Sequence, residues 1–405
     1  MAAALVAAAE LAEARGARRP EVALDAEHVA LSFVSERHAL VDGRPSGGGF
    51  APLSRLVRCA GGGWARTHGN YPHHAAALCR ALGIEPDVAA LEAAAAPLEA
   101  VALEEAVVAE SGCAAALRSP DVWAKHPAGS AAAQGPLVAV DDSLAAAATR
   151  PLPPLDDAAR PAAGIRVLDL TRVIAGPVAA RTLAALGADV LRVDPPHLPE
   201  IAVQHIDTGP GKRAAVLDLA DAERREALLA GADVVLTGYR PGALARFGLG
   251  AADLAERHPH LVQVSLSAWG TDGPWAGRRG FDSLVQVASG IAATLAAPDG
   301  TPGVLPGQAL DHASGHHMAA AALRGLSRRA RGEPIAPARL SLARTAAELL
   351  AAPRGEPAPA RAPDPDRFRV TFGDVSLIAP PGTLDGVPLR WAHGPRPLGG
   401  DEPAW

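Results

Sequence analysis

Lysine is nearly missing from this 405-residue chain: Lys125 and Lys212 are the only two, and arginine carries almost all the positive charge. Acidic residues outnumber basic ones by 44 to 38, for a formal net charge of -6. No Lys/Arg-rich stripe offsets that excess, so no nucleic-acid partner is expected, and an anionic ligand would have to be met by local groups. The three cysteines, Cys59, Cys79 and Cys113, are an odd number without CxxC or Cys/His ligand spacing. That indicates neither a disulfide frame nor a zinc site, and fits a reducing cytoplasm. Long apolar runs are also lacking. No segment approaches the roughly 18 to 20 apolar residues that span a bilayer, and the Ala-rich start carries Glu10 and Glu13 where a secretion signal would be basic, then apolar. No membrane partner is expected. What the chain has is 49% hydrophobic content, enough to bury a large core in two or three domains.

Apolar spacing divides the chain. Residues 1–150 read as a small α+β domain, with helical periodicity around 1–15, 75–82 and 99–117 and an extended stretch near Arg55–Thr67. Residues 151–163 are too proline-dense for a helix or central strand and read as a linker. Over 164–350 short β-branched runs alternate with helices. Ile165-Arg-Val-Leu-Asp-Leu, a break at Gly176-Pro177, the helical Val178–Leu186 and Val190-Leu-Arg-Val form a βαβ unit. Val216-Leu-Asp-Leu, Val234-Val-Leu-Thr and Leu261-Val-Gln-Val-Ser-Leu continue the alternation, which predicts an α/β fold with a doubly wound parallel sheet. Residues 351–405 read as a Pro/Ala-rich linker and a short β-like tail at Val375–Ala379.

A strand, a turn, a helix and an acid at Asp194 have the layout of a dinucleotide-binding unit. The turn, Arg172-Val-Ile-Ala-Gly-Pro, is not GxGxxG, and Pro177 removes an amide donor. Gly209-Pro-Gly-Lys212-Arg213 likewise lacks P-loop spacing. The remaining candidates for an anion site are Lys212, Arg240, Arg246 and Arg278-Arg279, on loops that a doubly wound sheet gathers at one end; solvated loop charges are the alternative.

Several stretches over about 165–325 resemble, in family order, the family III CoA-transferases, which include formyl-CoA and carnitine CoA-transferases and the α-methylacyl-CoA racemases. They are Gly164-Ile-Arg-Val-Leu-Asp-Leu-Thr-Arg-Val-Ile-Ala-Gly-Pro, Leu186-Gly-Ala-Asp-Val-Leu-Arg-Val-Asp-Pro-Pro, Gly211-Lys-Arg-Ala-Ala-Val-Leu-Asp-Leu, Ala232-Asp-Val-Val-Leu-Thr-Gly-Tyr-Arg-Pro-Gly, Gly280-Phe-Asp and Asp311-His-Ala-Ser-Gly. The resemblance implies that coenzyme A or acyl-CoA is bound as substrate, with no permanent cofactor. Val173, Ile174 and Ala175 would lie along it, Lys212, Arg246 and Arg279 would face its phosphates, and Tyr239 would sit near the adenine.

Asp311 matches the family's catalytic aspartate; by residue type alone it is an N-cap to a helix His312–Leu323. As a nucleophile it would attack a thioester to give a mixed anhydride, an acceptor carboxylate would take the acyl-aspartyl apart, and CoA would then load the acceptor. Water must be kept from the anhydride, and Pro45–Gly49 or Gly61–Gly63 are candidate covering loops. Asp282 is a possible second acid, or a helix cap, and Gln308 lies near Asp311 in the motif order. His312, His316 and His317 lack Cys or further acidic partners at ligand spacing, so no metal site is expected. The racemases need a His before the acid of Gly280-Phe281-Asp282, where this chain has phenylalanine, which favours the transferase; a racemase and a non-catalytic CoA-binding protein remain as alternatives. The small-domain-like piece comes before the family core rather than after it. A homodimer is expected, with its threading open. His68-Gly-Asn-Tyr-Pro-His-His74 is a candidate wall of the acyl pocket, or a plain surface loop.

Overall fold

A computed structural model describes residues 1–147, 149–198, 200–353, 355 and 362–405. Helix α1 (Ala2–Ala14) is built from alanine and leucine, strong helix formers, and buries most of its length. A small antiparallel sheet follows, with β2 (Trp64–Thr67) between β1 (Leu56–Arg58) and β3 (Ala114–Ala116). Helix α2 (Pro72–Leu82) starts on a proline and ends at Gly83 with φ 64°, and its Leu78 shares a core with Val57, Ala65 and Leu103.

The chain then lays down β4 (Ala139–Val140), β5 (Arg166–Leu170), α3 (Ala175–Ala185), β6 (Asp189–Asp194), β7 (Lys212–Val216), β8 (Val234–Thr237) and β9 (Val262–Ser267). Helices α4 (Asp282–Ala288) and α5 (Ala309–Ala330), strand β10 (Ala338–Ser341) and helix α6 (Leu342–Ala351) complete the large unit. The seven-stranded sheet runs β7-β6-β5-β8-β9-β10-β4, parallel except for β4 at its edge. This is a doubly wound α/β fold, and its strand order reverses between β5 and β8. Ligands of such folds bind beyond the strand carboxyl ends at that point.

Alternation along β5 shows how both faces are covered. Val167 joins a core with Leu183, Met318 and Leu323, whereas Leu168 and Leu170 join one with Leu228 and Leu254. Helix α5 packs against both α1 and α3. At Gly315 a Cβ would lie 2.4 Å from the Ala175 carbonyl oxygen, so only glycine lets α5 approach the start of α3 this closely.

The structure divides the chain differently from the 1–150, 151–163, 164–350 and 351–405 blocks read from the sequence. Helix α1 belongs to the large core, Val22–Ala23 pairs with Thr383–Leu384, Leu40–Val41 pairs with Val375–Ser376, and β4 edges the large sheet. Only residues from about Leu53 to Ala116 build the small sheet unit. These pairings join distant parts of the chain, which local periodicity does not report. Segment 151–163 is irregular and is tied down. The Arg15 guanidinium donates to the carbonyls of Pro153, Pro154, Pro161 and Ala163. The helix at 99–117 stops at Ala109, after which Ser111 turns at φ 63° into β3. The strand expected at Val216–Leu219 lies earlier, as β7. Of the 351–405 linker, residues 354 and 356–361 lie outside the described residues.

Gly315→Ala should force α5 from α3 and lower stability by about 1–3 kcal/mol, the usual cost of overpacking. Thermal unfolding checks this; an unchanged Tm would contradict the close approach.

Candidate active site

The turn after β5 is the tightest part of the switch point. Val173 holds φ at 69°, a strained conformation for a β-branched residue, and its N–H donates to Glu200 Oε2 at 2.9 Å. Gly176 admits the turn, since a Cβ there would lie 2.2 Å from the Thr171 side chain. Beneath it sits a cluster of buried charges. Arg192 makes a two-point contact with Asp194 at 2.8 and 2.9 Å and donates to Glu200 Oε2 at 2.9 Å. Glu200 also accepts from Tyr71 Oη at 2.6 Å, which links the small unit to the turn.

Lys212 belongs to this cluster, which corrects its expected place on the CoA phosphates. Its ammonium is fully buried, 3.0 Å from Asp169 Oδ2 and 2.9 Å from the Pro177 carbonyl oxygen. Strand β7 passes behind the turn, so the side chain braces the start of α3 from below. Burial lowers its pKa to about 8 despite Asp169. Asp194 is likewise committed to Arg192. Lys212→Met should leave Asp169 uncompensated and cost about 3–5 kcal/mol of stability. Denaturant unfolding measures the loss, and CoA affinity titrated against salt concentration should keep the wild-type slope; a reduced slope would return Lys212 to the phosphates.

Above the turn lies a cleft of about 630 Å³. Asp311, Val173, Ala175, Tyr239, Arg246 and Arg279 line it; Ile174 and Asp282 are buried behind its wall. Part of its wall is Leu217, Leu219, Leu244 and Phe247 with Arg240 and Arg246, and Arg240 is close enough to Arg279 for their charges to interact. Arg246 lies over the Phe247 ring at 4.5 Å, and among the described residues neither arginine has an acidic partner within salt-bridge distance. Arg279 donates to the Ser111 carbonyl at 2.7 Å, whereas Arg278 is held by Glu104 and Glu105.

Another part of the wall comes from the small unit. Phe281 stacks on His68, with centroids 3.7 Å apart and rings 7° from parallel, and Tyr71, His73 and His74 line the cleft beside it. The 68–74 segment is therefore part of the cleft wall. Of the two glycine runs, Gly47–Gly49 leads into Phe50 beside His68, whereas Gly61–Gly63 turns between β1 and β2 against Glu99. Neither His312 nor His317 lines the cleft. His312 is buried, with Nε2 3.3 Å from Glu36, and among the described residues no group of three or more His, Cys, Asp or Glu is arranged to hold a metal.

Helix α5 begins at Ala309 with Gln308 at its N-cap, so Asp311 stands in the first turn rather than capping the helix. The Asp311 N–H donates to Asp282 Oδ2 at 2.9 Å, and Gln286 holds the other Asp282 oxygen. Burial, then the charges of Asp282 and Glu36, push the Asp311 carboxyl well above its usual range; burial lifts Asp282 to about 6. The helix start favours the ionised form and partly opposes these effects. Because folding raises both pKa values, this pair favours the native state at low pH, and that contribution is lost as pH rises through about 6 and beyond. Asp282→Asn should move the acid limb of kcat/KM to lower pH, since a nucleophilic Asp311 must be ionised; an unmoved limb would mean the two carboxyls do not interact.

The family model for CoA-transferase family III matches residues 162–367, half of the chain, so the chain belongs to that family. A probable fatty acyl-CoA transferase of Mycobacterium tuberculosis is 36% identical over 194 residues, covering 44% of this chain and 49% of that protein. The mouse succinyl-CoA:glutarate CoA-transferase is 32% identical over 191 residues, covering 43% and 44%. The chain thus spans about half the length of the curated relatives it matches. The orthorhombic crystal structure of the M. tuberculosis protein aligns with TM-score 0.45 at 34% identity, over 48% of this chain and 58% of that one. A CaiB/BaiF family protein from Brucella suis aligns with TM-score 0.44 at 29% identity, over 47% and 56%. Among the described residues no helix is long and apolar enough to cross a membrane.

Glu200 and Arg192 do not stand out among the sequence's candidate site residues. A signal was present: Arg192 and Asp194 sit two apart inside an apolar strand, a spacing that puts opposite charges side by side on one face.

Proposed function

We propose that the protein is a CoA-transferase that moves coenzyme A from an acyl-CoA to a carboxylic acid through an acyl-aspartyl anhydride at Asp311. The observation that carries this reading is a carboxyl at the first turn of a helix, lining a cleft at the switch point whose wall also offers apolar side chains and two arginines that have no acid within salt-bridge distance among the described residues. CoA supplies the matching groups, an adenosine with phosphates at one end and a thioester at the other.

In the first step an Asp311 oxygen attacks the thioester carbonyl; the C–O bond forms, the C–S bond breaks, and CoA leaves as thiolate. The acceptor carboxylate attacks the Asp311 carbonyl carbon, forming a new anhydride and releasing the donor acid. The thiolate then attacks the acceptor's carbonyl, giving the new thioester and returning Asp311 as carboxylate. Half-buried Phe281, with buried His68 and Tyr71 behind it, would keep bulk water from the anhydride. A homodimer and a cytoplasmic setting belong to the same reading.

Two observations weigh against a racemase. Phe281 carries no proton and is held by its stack on His68, and His312 is turned to Glu36 rather than the cleft. Asp311→Ala should cut kcat by at least about a thousandfold, as losing a covalent nucleophile does. Hydroxylamine added during turnover should convert Asp311 to a hydroxamate detectable by peptide mass analysis. Full activity in the variant, or an unmodified Asp311 peptide, would overturn the proposal, and deuterium wash-in at the α-carbon of a 2-methylacyl-CoA would favour the racemase.

A further inference from the structure

Five arginines are buried among the described residues, and four have a carboxylate within 3.0 Å: Arg118 with Glu104, Arg181 with Asp207, Arg192 with Asp194 and Arg329 with Asp233. Arg66 is the exception. It is 7% exposed, and among the described residues its Nε and Nη2 atoms have no hydrogen-bond partner and no acid lies within salt-bridge distance. A buried cation without an acid is costly and does not persist for packing alone. Its one visible compensation is the Phe50 ring, whose centroid lies 4.2 Å from the guanidinium carbon.

Its placement ties Arg66 to the acyl end of the cleft. Arg66 stands in β2, the middle strand of the small sheet, and His68 follows two positions later on the same side. That His68 ring stacks on Phe281, the cleft residue next to Asp282, and β2 packs against α4. Phe50 touches both, over Arg66 and edge-on to His68 at 6.3 Å, and is 44% exposed at the end of Gly47–Gly49. Removing Phe50 from the guanidinium needs rearrangement only of a glycine-rich segment.

We infer that Arg66 is the recognition group for a second carboxylate, so that the acid handled at Asp311 is a dicarboxylate. One carboxylate reacts at Asp311 while the other reaches past the Phe281–His68 stack to the guanidinium, displacing Phe50. Arg66 is a specificity residue and takes no part in bond making. This inference rests on the transferase reading and names its substrate class.

The test compares glutarate with its monocarboxylate isostere pentanoate as acceptors, acetyl-CoA being the donor, in the full chain. Wild type should prefer glutarate, and Arg66→Met should lower its kcat/KM about 30- to 100-fold more than that of pentanoate, with the loss in KM, as expected for one partner of a buried charge pair. Arg66→Lys should recover part of the preference. Because the substitution removes an uncompensated buried charge, Arg66→Met should melt no lower than wild type. Glutarate alone should raise the Tm of wild type and of Asp311→Asn but not of Arg66→Met. Equal losses for both acids, no preference in wild type, or a glutarate shift that survives in Arg66→Met would overturn the inference. Failure of the transferase reading is seen separately, as a glutarate shift that depends on Arg66 without a trapped hydroxamate at Asp311.

Discussion

The buried charge cluster under the first βα turn is the interaction on which the site depends. Asp169, Lys212, Arg192, Asp194 and Glu200 interlock there, with Tyr71 reaching in from the small unit. Each charge is taken from water at a cost that only its neighbours offset, so removing one strands another. What the cluster holds is a strained Val173 and the opening of α3, the backbone along which the proposed substrate would lie. The sheet supplies the position, and the charges supply the shape.

The same economy of charge marks the cleft. Acids meet nearly every buried arginine, yet among the described residues Arg240 and Arg246 in the cleft wall and Arg66 behind the Phe281–His68 stack have no acid within salt-bridge distance. Asp311 lies in an apolar, acidic setting that resists ionisation. A carboxylate in such a place is poorly solvated, and bond formation to a thioester carbon relieves the charge that burial disfavours. Phe281 contributes by what it cannot do: with phenylalanine where a second base would stand, proton removal from an α-carbon lacks a partner.

Much of this was legible in the sequence. The alternation from Ile165 to Leu266 reports a doubly wound sheet because each strand and helix writes its own period, and Val173, Tyr239, Arg246, Arg279 and Asp311 follow from an ordered set of motifs that the switch point gathers. Lys212 misleads because rarity draws the eye while the first residue of a strand gives no sign of which way its side chain turns. Arg66 and Glu200 were silent for a different reason. Glu200 takes its meaning from Tyr71, 129 residues away, as much as from nearby Arg192 and Val173, and Arg66 from the lack of an acid within salt-bridge distance among the described residues; no local pattern carries either. The interleaving of Val22–Val41 with the tail is unreadable for the same reason.

The central claim is that Asp311 carries the acyl group, and oxygen transfer tests it most directly. With an acceptor acid carrying heavy oxygen in its carboxylate, a single turnover through two successive anhydrides must leave one heavy oxygen on the Asp311 side chain, and further turnovers replace the second. Mass analysis of the peptide holding Asp311 should find that label only when an acyl-CoA donor is present. A peptide that stays unlabelled while CoA moves to the acceptor would contradict the account.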